Sequence, residues 1–266
     1  LITPEEVKEL VIKIRREHGL PITPFEIDEV RYDKEGEKLF IIAHDRTDKS
    51  VVIGSSLVIG KLKEELKVKL VSVYTTLDLT LKRMQLEKSL EFAKEHNLNF
   101  LIPIIKAEMK FPPRKWPEVK TNKEALIFLT FNADAMIGFS RAFNLKGKVY
   151  GVKYSFPKLS YTPLDRPLRE VFFPNEEFLN KLASENGIDI VISEFEFPSK
   201  VEDSVMINPM RFLRIGYFEV KYLFGESRPA VFNKYDLIDY VVTMVEEGLM
   251  EATDGARIIR WGWKRR

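Results

Sequence analysis

The chain has 266 residues, of which 45% are hydrophobic and 31% charged, with a formal net charge of +2. This composition describes a folded globular protein with ample core, excludes an intrinsically disordered chain, and leaves no global field that demands a polyanionic partner. The absence of cysteine excludes disulfides, thiolate zinc sites and a thiol nucleophile, and three isolated histidines (His18, His44, His96) make a poor metal centre. The opening Thr3-Pro4-Glu5-Glu6 reads as a helix start rather than a signal peptide: an N-cap, a proline in the first turn, and acids facing the helix dipole. Val7, Leu10, Val11 and Ile14 form its apolar stripe and Gly19 ends it. Two strands, about 25–32 and 38–44, then flank a turn at 33–36. The apolar segment 51–53 runs into Gly54, a helix carrying Val58, Ile59, Leu62 and Leu66 follows, and residues 69–74 read as a strand. The expectation is an α-β-β-α-β unit over residues 1–76.

A longer helix over 77–96 and a proline-rich stretch, FPPRKWPEVKTN at 111–122, read together as a connection over 77–123. From Ala125 the pattern alternates strand and helix, which predicts a parallel α/β sheet in a second domain over 124–266. Its expected elements are strands at 125–129 and 149–154, a helix at 136–143, a helix opened by Pro174-Asn175-Glu176-Glu177, and a strand over 188–195. Residues 199–216 resist reading apart from a short helix near 208–213. The stretch 234–247 is amphipathic, and Asp254-Gly255 predicts a hairpin turn between 250–253 and 256–261. No apolar run approaches the roughly 20 residues that cross a bilayer, so a cytoplasmic protein with no membrane partner is expected.

Two loops carry the candidate chemistry. The segment from Asp45 to Leu62 holds Ile53-Gly54-Ser55-Ser56-Leu57, which resembles the Ile-Gly-x-x-Gly signature of KH domains. In such domains a glycine-bracketed turn clamps about four nucleotides of backbone. Here Leu57 replaces the second glycine and projects a side chain where a phosphate would sit. Lys49, Gly54, Ser55, Ser56 and Lys61 are the nucleic-acid candidates there; a solvated lysine face that includes Lys63 explains the same residues. The second loop, Thr130-Phe131-Asn132-Ala133-Asp134-Ala135, lies between a strand and a helix. It resembles the Ser-Gly-Gly-x-Asp-Ser loop of PP-loop ATP pyrophosphatases. Backbone N–H groups at such a loop suit an anion. Thr130 matches the first serine, Phe131 and Asn132 stand at the two glycines, Asp134 matches the acid, and Ala135 has lost the second hydroxyl. Asn132 or Asp134 acting as a simple helix cap accounts for the loop equally well.

Together the two loops and the Lys-Leu-Lys-Glu-Glu-Leu helix resemble archaeal predicted PP-loop superfamily ATPases with an N-terminal KH-like domain, over roughly residues 20–155. That resemblance implies an RNA partner, tRNA above all, and a second domain of the adenine nucleotide α-hydrolase-like fold. It also implies ATP and magnesium as cofactors, with Thr130, Asn132 and Asp134 holding nucleotide and Asp134 as the catalytic residue that helps place magnesium. Apart from the resemblance, Glu194, which shares a strand face with Glu196, is a second candidate metal ligand. Both loops are degenerate, which points to an RNA-associated pseudoenzyme with weak or lost catalysis. The rivals are an active pyrophosphatase adenylating a tRNA base in tRNA modification, a non-catalytic scaffold with a protein partner, and a DNA-binding protein using the terminal helix and hairpin.

The remaining candidates are less specific. Asp189, Glu194, Glu196, Glu202 and Asp203 surround the strand near 190 and its exit, where α/β sites form. Asp165-Arg166 and Arg169-Glu170 read as surface ion pairs. The ending carries Arg257, Arg260, Lys264, Arg265 and Arg266 with Trp261 and Trp263, a set able to neutralise phosphates and stack bases, or to pack its tryptophans on the body with charges outward.

Overall fold

The computed structural model describes residues 2–33, 37–111, 115–129, 132–152, 168–171, 176–194, 200–201, 204–224 and 234–263. The chain divides into two compact units, 1–84 and 85–266. Among the described residues, no helix is long and apolar enough to cross a membrane.

In the first unit, helix α1 (Pro4–Glu17) begins with the expected cap: Thr3 and Glu6 exchange side chain–backbone hydrogen bonds. Strands β1 (Ile27–Asp33), β2 (Lys38–Ala43) and β3 (Leu70–Thr75) form a sheet of that order, β1 antiparallel and β3 parallel to β2. A parallel pair needs a crossover, and here it holds two helices, α2 (Arg46–Ile53) and α3 (Leu57–Leu66), joined by a 3-10 turn over Gly54–Ser56. The expected single crossover helix is therefore corrected to α-β-β-α-α-β. Asp45 and Asp48 form a capping box that starts α2, and Val51 and Val52 bury its apolar side. The core joins Val7, Val11 and Ile14 of α1 to Leu39, Ile41, Val58, Leu62 and Val71.

Helix α4 (Thr76–Glu95) crosses the boundary between the units. In the second unit, its Leu86 and Ala93 join Leu98, Leu101 and the Ile104 and Ile105 of helix α5 (Ile102–Glu108) in the core. The sheet is built from β4 (Glu124–Leu129), β5 (Lys146–Val152), β6 (Leu168–Val171), β7 (Ile190–Ile192), β8 (Lys200–Val201) and β9 (Ser204–Ile207), in the order β6-β5-β4-β7-β9-β8. The four strands β5, β4, β7 and β9 are all parallel, β6 continues that direction at one edge, and the short β8 is antiparallel at the other. Alternate residues of β4 feed opposite faces. Ala125, Ile127 and Leu129 face the core that holds helix α6 (Ala133–Ala142), while Leu126 and Phe128 meet Ala183 of helix α7 (Glu176–Asn186). The expected α/β architecture with a parallel sheet holds.

The strands after α7 lead to α8 (Pro209–Leu213), capped by Asn208, then α9 (Tyr217–Phe224), α10 (Lys234–Glu246) and α11 (Ala252–Trp263). The hairpin expected at Asp254-Gly255 is absent; both residues lie in the first turn of α11. A Cβ at Gly255 would lie 2.7 Å from Val241 Cγ1, so this glycine lets α11 approach α10 rather than turning the chain. The helix-and-hairpin basis for DNA binding falls with it.

Candidate functional site

The sheet order contains a topological switch. From β4 the chain moves outward to β5 and β6, then returns to the other side of β4 with β7 and β9. In open parallel sheets the crevice at the carboxyl ends of the two strands flanking such a switch is where ligands bind. Here those strands are β4 and β7, and the residues just beyond their ends are Asn132 and Glu194. Both are buried, at 3% and 4% exposure, and they touch.

Glu194 Oε2 accepts the backbone N–H of Asn132 at 2.7 Å, and Oε1 accepts its side-chain Nδ2 at 2.8 Å. The Tyr240 hydroxyl of α10 donates to Oε1 at 2.8 Å and itself accepts from Asn132 Nδ2. Met210 Sδ lies 3.4 Å from the same Nδ2. Burial pushes the Tyr240 phenol well above its usual range, and the neighbouring Glu194 charge adds to the effect. Asn132 occupies the N-cap of α6 without a side-chain bond into the helix. The carboxylate of Glu194 accepts the N–H of Asn132 itself, so an internal anion sits at the N-cap of α6.

Asn132 and Glu194 were both singled out by sequence and are brought together. Thr130, Phe131, Glu196, Glu202, Asp203, Asp165 and Arg166 lie outside the described residues, and of Asp134, Arg169 and Glu170 only the backbone is described. Strand β7 ends at Ile192, so Glu194 lies beyond it rather than within it. Asp189 precedes β7 at the opposite, amino end and pairs with Lys123 at 3.1 Å. Among the described residues no three histidine or carboxylate groups gather to hold a metal. Tyr240 and Met210 went unread in the sequence. Tyr240 lies on the buried stripe of α10, between Leu237 and Val241 and one turn before Met244, which is the pattern that would have flagged a polar tip aimed inward.

In the first unit, the turn between α2 and α3 has the shape that its glycine suggests. Gly54 is left-handed at φ +52° and caps α2; a Cβ there would meet Val58 Cγ2 at 2.2 Å. Ser56 is also left-handed and exposed, and Leu57 stands 40% exposed at the head of α3. Of Ser55 the backbone alone is described. Lys49 and Lys61 are half-buried, and Lys61 pairs with Glu64 at 2.7 Å, which raises the ammonium above its usual range. Near the start of α2, His44 Nδ1 lies 3.2 Å from Asp28 Oδ1, and Thr76 donates to Asp28 Oδ2 at 2.6 Å. The Asp28 hydrogen bond and charge raise His44; the Thr76 and His44 bonds lower Asp28.

At the C-terminus, α11 buries Gly255 and Ile258 and exposes Arg257 and Arg260, with Arg257 3.2 Å from Asp254. The side chains of Trp261 and Trp263, and the whole of Lys264, Arg265 and Arg266, lie outside the described residues. No family model, curated protein or solved structure matches this chain.

Proposed function

We propose that this protein is RNA-associated and contacts single-stranded RNA through the Gly54–Leu57 turn of a KH-like unit. The observation that carries this reading is the placement of that turn. It joins two helices that cross between parallel strands, presents Ser56 and Leu57 to solvent, and keeps a left-handed glycine at its start. A backbone turn of this kind at a helix N-terminus offers amide donors to phosphates. The test is fluorescence anisotropy of a labelled oligouridylate with wild type and Ser56→Asp. A carboxylate in the turn should weaken binding by at least roughly ten-fold, about the effect of one charge-assisted contact. Equal affinity for both proteins contradicts the reading.

In the second unit, we propose a diverged PP-loop-like switch point whose catalysis is lost. The Glu194 carboxylate on the Asn132 amide supports this, because an anion already fills the donor that a nucleotide phosphate would use. Calorimetry at millimolar ATP, with and without magnesium, is expected to give no binding heat. A saturable isotherm would return ATP and magnesium to the site and Asp134 to the catalytic role.

A further inference from the structure

The turn between α2 and α3 contains no cation of its own, yet a guanidinium lies directly beneath it. Arg15, near the end of α1, is only 8% exposed. Its Nη1 donates to the Val51 carbonyl in the last turn of α2 at 2.7 Å, and its Nε to the Pro21 carbonyl at 2.8 Å. The same Nη1 lies 3.2 Å from where a Cβ would stand on Gly54. Arginine is almost never this buried without an anion. Among the described residues, however, no carboxylate pairs with Arg15. The two carbonyls occupy two of five N–H donors, and the α2 C-terminus offsets part of the charge. The outer Nη2 has no hydrogen-bond partner among the described residues, and it is not sealed from solvent. Among the described residues, this buried charge with open donors, braced against the turn, lacks a counterion.

We propose that Arg15 is the phosphate-binding residue of this turn, its Nη2 donating to a backbone phosphate of single-stranded RNA seated against Gly54–Leu57. The inference rests on the RNA reading above and adds to it a charged contact from α1. No lysine of the turn's own helices is needed for that contact. Arginine suits it because the planar fork can hold the two carbonyls and still present donors outward, which an ammonium cannot do.

The experiment is a salt series on the full chain with labelled oligouridylate, from about 50 to about 200 mM potassium chloride. Arg15→Gln should bind roughly ten-fold more weakly and lose about 0.7 from the slope of log affinity against log salt, the share of one phosphate contact on a single strand. Arg15→Lys should lose the same share of the slope, because an ammonium cannot hold the two carbonyls and still donate outward. If Arg15→Gln weakens binding but keeps the slope, Arg15 only braces the turn and the inference fails while the RNA reading stands. If wild type binds no RNA, both fail. If inorganic phosphate alone then stabilises wild type but not Arg15→Gln, the seat takes a small phosphate and the RNA assignment is overturned. Should Arg15→Gln not fold, the Arg15 Nε–H resonance of wild type, held by Pro21, answers the same question. It should shift on titration with oligouridylate, and an unmoved signal overturns the proposal.

Discussion

Replacing Glu194 by alanine removes the acceptor that holds the switch point of the second unit. Among the described residues, the Asn132 amide, the Asn132 side chain and the Tyr240 hydroxyl donate to that carboxylate. Each buried donor left unpaired costs about 1–3 kcal/mol. Asn132 Nδ2 and the Tyr240 hydroxyl still have each other, so the backbone amide bears the full loss and the other two a part of it. The expected cost of Glu194→Ala is therefore about 3–5 kcal/mol. Tyr240→Phe deletes one donor and leaves the carboxylate on Asn132, at about 1–2 kcal/mol. The double variant should cost less than the sum, because both changes act on one bond, with a coupling of about 1–2 kcal/mol. Hydrogen exchange of β4 and α6 in a urea series reads the stability of this unit directly. A loss below about 1 kcal/mol for Glu194→Ala, or additivity of the two changes, would refute the view that this network holds the loop.

The other expectations concern packing and protonation. Gly54→Ala should destabilise the first unit by about 2–4 kcal/mol, since the residue is left-handed and its new Cβ would meet Val58; a melting temperature unchanged from wild type counts against the tight turn. Gly255→Val forces a side chain against Val241 and Val245 and should cost about 1–3 kcal/mol, seen as faster exchange in α10 and α11. For the His44–Asp28 pair the two shifts have opposite signs. The raised His44 contributes fully below its unfolded value of about 6.5 and loses that contribution as pH rises through its folded value. The lowered Asp28 contributes above its unfolded value of about 3.9 and loses it as pH falls through its folded value. The melting difference between wild type and His44→Gln should thus be largest between about pH 4 and about pH 6.5 and shrink at alkaline pH. A difference that does not shrink between that window and alkaline pH removes the pair from the account.

Much of the scaffold was readable because it obeys local rules. The capping box at Thr3, the apolar run of β4 and the stripe of α10 each carry their own signal. Helix α2 was missed because its first turn, Arg46-Thr47-Asp48-Lys49, is polar and only Val51 and Val52 are buried; the Asp45–Asp48 capping box was the clue. The Asp254-Gly255 pair misled for a different reason. Its glycine answers a helix–helix approach to Val241, a tertiary demand that no local turn rule contains. At the candidate site, the strand–loop–helix around Asn132 was legible from its apolar flanks. Its partners lie 62 and 108 residues away, so the closing of that loop by Glu194 and Tyr240 became visible only with the fold. Arg15 shows the same limit: in sequence it is a charge at the end of a helix, and only the packing of α1 puts it under Gly54.

Photocrosslinking the full chain to a 4-thiouridine-labelled single-stranded oligoribonucleotide, with the adducts mapped by mass spectrometry, tests the RNA assignment most directly. Crosslinks concentrated on the α2–α3 turn and its flanking residues are the predicted result. Adducts that avoid residues 49–61, or none above a non-binding control, would contradict it.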